Sequence, residues 1–88
     1  MRVLLAEDDR ASRRMLEVTL TQWGYEVQLA IDGTEAWEAL RQKNRPPLVE
    51  LDLQMPGMDG IEVCRRVREI ADSQLPYIII LLRRIPRI

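Results

Sequence analysis

The chain has 88 residues, enough for one small domain, with 13 basic and 14 acidic side chains and a net charge of −1. That balance gives no footing for a nucleic-acid or anionic-membrane partner, and no apolar run approaches membrane-spanning length. One cysteine and no histidine exclude a disulfide framework, a common zinc site and histidine-based acid–base or triad chemistry.

Met1-Arg2-Val3-Leu4-Leu5-Ala6 meets charge too early for a signal peptide, and with the single thiol this predicts a cytoplasmic protein. Phenylalanine is absent, so the core must be aliphatic. Val3-Leu4-Leu5-Ala6 is a short continuous apolar run, the pattern of a strand buried on both faces of a parallel sheet. It ends in Glu7-Asp8-Asp9. Asp9 is predicted to cap a helix whose Met15, Leu16, Thr19, Leu20 and Trp23 recur at helical spacing until Gly24 stops it. One cap and one partner for the helix dipole account for two acids; the third is surplus and points to a cation.

Tyr25 to Ala30 alternates polar and apolar, which predicts an edge strand with one exposed face. Asp32-Gly33 turns the chain into a short helix, Thr34 to Arg41, with Ala36, Ala39 and Leu40 inward and Trp37 packing partly over that face. Gln42 to Pro47 is a polar loop whose prolines begin an extended segment. The following apolar run delivers Asp52 to its carboxyl end and breaks at once on Met55-Pro56-Gly57. Asp59 is a predicted cap for the next helix, with Ile61, Cys64, Val67 and Ile70 on its apolar side and Arg65, Arg66, Arg68 and Glu69 in solvent. Cys64 on that stripe reads as a core residue rather than a reactive thiol. Ala71 to Gln74 is a predicted loop, and Tyr77 to Leu82 a β-branched, fully buried strand.

The order β-α-β-α-β-α-β predicts an α/β fold, a doubly wound parallel sheet with right-handed crossovers. In isolation Asp52 would read as an ordinary strand-ending Asp. If the first and third strands are neighbours, however, their carboxyl ends bring Glu7, Asp8 and Asp52 together at the topological switch point. Clustered carboxylates without His or Cys suit a hard divalent cation, Mg²⁺ above all. Beside such a cation and a phosphoryl donor, Asp52 is a plausible nucleophile.

Glu7-Asp8-Asp9, the run Asp52-Leu53-Gln54-Met55-Pro56-Gly57-Met58-Asp59-Gly60 and the Leu75-Pro76-Tyr77 entry to a strand resemble the receiver domain of bacterial two-component response regulators. The resemblance covers residues 1–81; residues 82–88 form a divergent tail, so a single partial domain is expected over 1–88. It implies a flavodoxin-like fold with strand order 2-1-3-4-5, ending in this chain after the fourth strand. It implies Asp52 as phospho-acceptor, and Glu7, Asp8, Asp52 and the Gln54 backbone carbonyl as metal ligands, with Asp9 more a cap than a ligand. The side chain of Gln54 would influence dephosphorylation. The donor would be a phosphohistidine on a sensor histidine kinase or phosphotransfer protein, and the domain would be no conventional turnover enzyme. Arg13 and Arg14 belong either to a partner-facing surface or to solvated charge.

Three departures from the family stand out. The family's later lysine and aromatic switch residue have no counterpart in these residues. Leu82 stands where a Thr or Ser is usual, followed by Arg83-Arg84-Ile85-Pro86-Arg87-Ile88. Loss of one base from a family-like coding sequence would write such a tail; downstream DNA encoding the family's continuation in another frame is the check. Glu50 occupies a usually aliphatic position, where it must find a partner, reach solvent or weaken the fold. These departures predict impaired signalling, and an exposed fourth-strand edge that favours homo-oligomers. They also keep open a non-phosphorylatable, receiver-like interaction module or decoy. A metal-dependent aspartyl phosphatase is disfavoured by Gln54, where a second Asp would stand. A dinucleotide role is disfavoured because no Gly-rich turn follows the first strand.

Overall fold

The structure, a computed structural model, describes residues 1–70 and 75–81. The predicted loop at Ala71–Gln74, Leu82 and the tail lie outside them. Four strands and three helices alternate as expected: β1 Arg2–Ala6, α1 Arg10–Gln22, β2 Glu26–Ala30, α2 Gly33–Leu40, β3 Leu48–Asp52, α3 Gly60–Arg68 and β4 Tyr77–Leu81. All pairings are parallel, in the order β2-β1-β3-β4. The sheet is therefore doubly wound, with β1 and β3 side by side.

Each helix starts on an aspartate whose carboxylate accepts a backbone N–H three residues on. Asp9 takes Ser12 N, Asp32 takes Glu35 N and Asp59 takes Glu62 N, each at 2.8 Å. At the other end of α1, Gly24 turns out of the helix at φ +93, and Tyr25 N returns to the Leu20 carbonyl at 3.1 Å. α1 packs its Leu20 on one face of the sheet over Val3 and Leu5, with Leu16, Val27 and Leu48 at the margin. On the other face α2 and α3 cover Leu4, Ala6, Val49 and Leu51 with Ala36, Leu40, Val63 and Val67. Alternate residues of each strand thus feed two separate cores, as strand periodicity requires.

Three sequence expectations need correction. In α3 the core face is Val63 and Val67, both fully buried, whereas Ile61 is 55% exposed and Cys64 and Ile70 are half-buried. Gly60 sets this phase: a Cβ there would lie 2.6 Å from the Asp52 carbonyl oxygen, so the helix begins pressed against β3. In α1 Met15 is exposed, as is Trp23 just past the helix end, and Leu20 alone is buried. The third concerns β4, which is not fully buried. Ile78 packs into the α2–α3 core, but Tyr77 is 82% and Ile79 51% exposed. Both lie on the α1 side of the sheet, opposite Leu48 and Glu50 in register. α1 packs on β1 and β2 and covers neither of them. Among the described residues β4 pairs only with β3 and so forms an edge.

Glu50 sits beside this uncovered area, paired with Leu5 and Ile79. It is half-buried, and burial pushes its carboxyl above the ordinary value of 4.5. Of the outcomes open to it, partial contact with solvent is realised, together with a desolvation cost to the fold.

Candidate functional site

Register alone brings the acids together. Ala6 pairs with Leu51, so the next residues along the two strands, Glu7 and Asp52, emerge side by side. Both are almost fully buried, Glu7 at 1% and Asp52 at 3% exposure, while Asp8 is exposed. One carboxylate oxygen from each of Glu7, Asp8 and Asp52 lies within 4.8 Å of the other two. Among the described residues this is the one group of His, Cys, Asp or Glu arranged to share a metal ion.

The surroundings hold these side chains in place. Asp9 N donates to Glu7 Oε2 at 2.9 Å, and Glu7 N continues the β1–β2 ladder to Ala30 O at 3.1 Å. Gln54 N donates to Asp52 Oδ1 at 3.3 Å. Arg13 reaches back from α1 and donates to the carbonyl oxygens of Glu7 at 2.8 Å and Asp8 at 3.4 Å. It is half-buried and braces the acidic turn, a role that its position on a charged helix did not disclose. Arg14 is exposed and pairs with Glu17 at 3.1 Å. Asp9 caps α1, as its place before the helix predicts.

Beside Asp8 opens a cleft of about 460 Å³ lined by Asp8, Gln54, Met55, Pro56 and Asp59. Its walls are the acidic turn after β1 and the β3–α3 loop, and Gly60 N pins that loop to the Leu53 carbonyl at 2.9 Å. An all-oxygen donor set of three carboxylates, two of them withdrawn from bulk water, fits a hard divalent cation and suits neither a soft nor a nitrogen-preferring metal. The cleft leaves room for a further ligand of phosphoryl size. The buried carboxylates of the trio are Glu7 and Asp52.

Comparison with known proteins agrees with this layout. The response regulator receiver domain profile matches residues 3–84. The response regulator MprA of Mycobacterium sp. (strain KMS) is 45% identical over 83 residues, 94% of this chain and 35% of that protein. The transcriptional regulatory protein AfsQ1 of Streptomyces coelicolor is 46% identical over 81 residues, 92% of this chain and 35% of its own length. The chain thus spans about a third of the curated relatives it matches. Among solved structures, the receiver domain of a sensor histidine kinase from Pseudomonas aeruginosa PAO1 superposes with a TM-score of 0.78 at 33% identity. That match covers 92% of this chain and 66% of the other, whose active-site cleft coordinates a magnesium ion. A parallel sheet in this order, acids converging from two strand tips and a profile match over nearly the whole length leave one assignment: the chain belongs to the response regulator receiver domain family of two-component signalling.

Proposed function

We propose that this chain is a phospho-acceptor module that takes a phosphoryl group onto Asp52 from a phosphohistidine of a sensor kinase or phosphotransfer protein. The observation that carries the reading is the convergence of Glu7, Asp8 and Asp52 within 4.8 Å, with Asp8 also lining an open cleft. Glu7, Asp8 and Asp52, with the Gln54 backbone carbonyl, would hold Mg²⁺. Bound there, the cation would offset the charge that builds up between the Asp52 carboxylate and the incoming phosphoryl group.

The chain's own residues supply position. β3 fixes Asp52 at its carboxyl end, next to Asp8, and the Gln54 N–H holds one carboxylate oxygen, Oδ1, in a set orientation. One Asp52 oxygen attacks phosphorus, the P–N bond to the donor histidine breaks, and the imidazole leaves with the electron pair. Asp9 and Arg13 keep the Glu7–Asp8 turn from relaxing away from its like-charged neighbour. On this reading the domain takes part in its own phosphorylation and dephosphorylation and is no conventional turnover enzyme. Incubation with acetyl phosphate and Mg²⁺, followed by intact-mass measurement, should add one phosphoryl group to the wild type and none to Asp52→Asn. An unmodified wild type would refute the reading.

A second reading, a receiver-like interaction or dimerisation module, is favoured by the exposed Tyr77 and Ile79 on β4, which among the described residues is an edge strand. Leu82, which cannot donate a hydrogen bond to a phosphoryl oxygen, favours it too. Sedimentation of the unphosphorylated chain at micromolar concentration should show a dimer on this reading; a monomer removes it.

A further inference from the structure

Gly33 opens α2, is buried, and does not have a positive φ, so its backbone conformation is open to any residue. Space is what excludes a side chain. A Cβ at Gly33 would stand 1.5 Å from the Met58 carbonyl oxygen and 2.5 Å from its carbonyl carbon, and these are backbone atoms that cannot rotate away. Gly33 N also points to the Pro56 carbonyl at 3.4 Å. One residue further on, the partners are exchanged: Gly57, at φ +79, would carry a Cβ 2.6 Å from Thr34 Oγ1. Two successive residues of α2 therefore interlock with three successive residues of the β3–α3 loop.

The same loop walls the candidate site. Gln54, Met55 and Pro56 line the cleft across from Asp8, and Gln54 N holds the Asp52 carboxylate. The loop's two ends are anchored by β3 and by Gly60 N on the Leu53 carbonyl. Its middle has α2 as its seat.

We infer that Gly33 is a positioning residue for the Asp52 site. By admitting the Met58 carbonyl where any other residue would carry a Cβ, it seats the β3–α3 loop against α2 and sets where the Gln54–Pro56 wall stands relative to Asp8 and Asp52. The inference rests on the receiver reading of that site. Gly33 touches none of the acids; it acts through the loop.

The test is Mn²⁺ titration of the whole chain, with free ion read by electron paramagnetic resonance and folding monitored by far-ultraviolet circular dichroism. Gly33→Ala should weaken Mn²⁺ binding at least tenfold in chain that remains folded. Gly24→Ala is the control. It strains a positive φ where nothing lies within 4 Å, at the end of the sheet away from the acids, so it should lower stability and keep Mn²⁺ affinity within twofold. Gly57→Ala should weaken binding from the other side of the seam, and adding Thr34→Ala, which removes Oγ1, should restore part of the loss. Gly33→Ala with wild-type affinity overturns the inference. If Gly33→Ala does not fold, the second pair decides, and no recovery on adding Thr34→Ala overturns it. A wild type that takes up no Mn²⁺ sinks the receiver reading itself, and this inference with it.

Discussion

Replacing Asp8 with asparagine should make the metal-free protein more stable and the Mg²⁺-loaded protein relatively less so. Asp8 places a carboxylate oxygen within 4.8 Å of one on Glu7 and one on Asp52. At that separation each like-charge pair costs about 0.9 kcal/mol at the permittivity of bulk water and about 3.5 kcal/mol at an effective value near 20. Asp8 is exposed, which pulls the figure toward the lower end, and a Debye length of about 8 Å at physiological salt roughly halves it again. Removing both repulsions should therefore stabilise the metal-free chain by about 1–2 kcal/mol at low ionic strength. A cation reverses the ranking. At a hundred times its Kd a ligand of the native state adds about 2.7 kcal/mol, and the Asn variant forfeits most of that. Urea unfolding of both proteins, once in EDTA and once in millimolar Mg²⁺, reads all four stabilities. The reasoning fails if Asp8→Asn is the less stable protein in EDTA, or if Mg²⁺ stabilises it as much as it does the wild type.

Two further predictions follow from the packing. Burial raises the folded-state pKa of Glu50, so its contribution to stability is present below about 4.5 and is lost as pH rises through the folded value. Glu50→Gln should then be the more stable protein at pH 7, by under about 1 kcal/mol because the group keeps contact with water, and should lose that advantage below pH 4.5; a pH-independent difference in unfolding free energy would contradict this. The phase of α3 gives the other. Val67→Ala, at a fully buried position, should cost roughly 2 kcal/mol in chemical denaturation, whereas Ile61→Ala should stay within about 0.5 kcal/mol. Equal costs at the two positions would place the helix face wrongly.

What could be read in the sequence was what chain chemistry decides locally. Glu7 and Asp52 follow short apolar runs, and Asp9 and Asp59 stand where helices begin, so strand ends and caps were legible. The β-α alternation gave the doubly wound class, but β1 beside β3 was only what the family resemblance implied, and the structure shows it. What stayed hidden depends on neighbours distant in the chain. Ile61, Val63, Cys64 and Val67 offer two apolar stripes on one helix, and packing against the sheet and α2, with Gly60 close to the Asp52 carbonyl, selects Val63 and Val67. A β-branched run reads alike whether or not a helix covers it, so the exposure of Tyr77 and Ile79 had no local signal. Arg13 bonds to backbone carbonyls, and Gly33 matters through space it leaves for Met58; neither acceptor nor void has a residue-type signature.

Under the proposed function Asp52 is the phosphoryl-accepting member of a cation-holding trio. Borohydride reduction of the chain after treatment with acetyl phosphate and Mg²⁺, with peptide sequencing to find the reduced side chain, locates the acyl phosphate directly. The label should fall on Asp52 alone and disappear when EDTA replaces Mg²⁺. Label on Asp8 or Asp59, or label on Asp52 that persists in EDTA, would contradict the account.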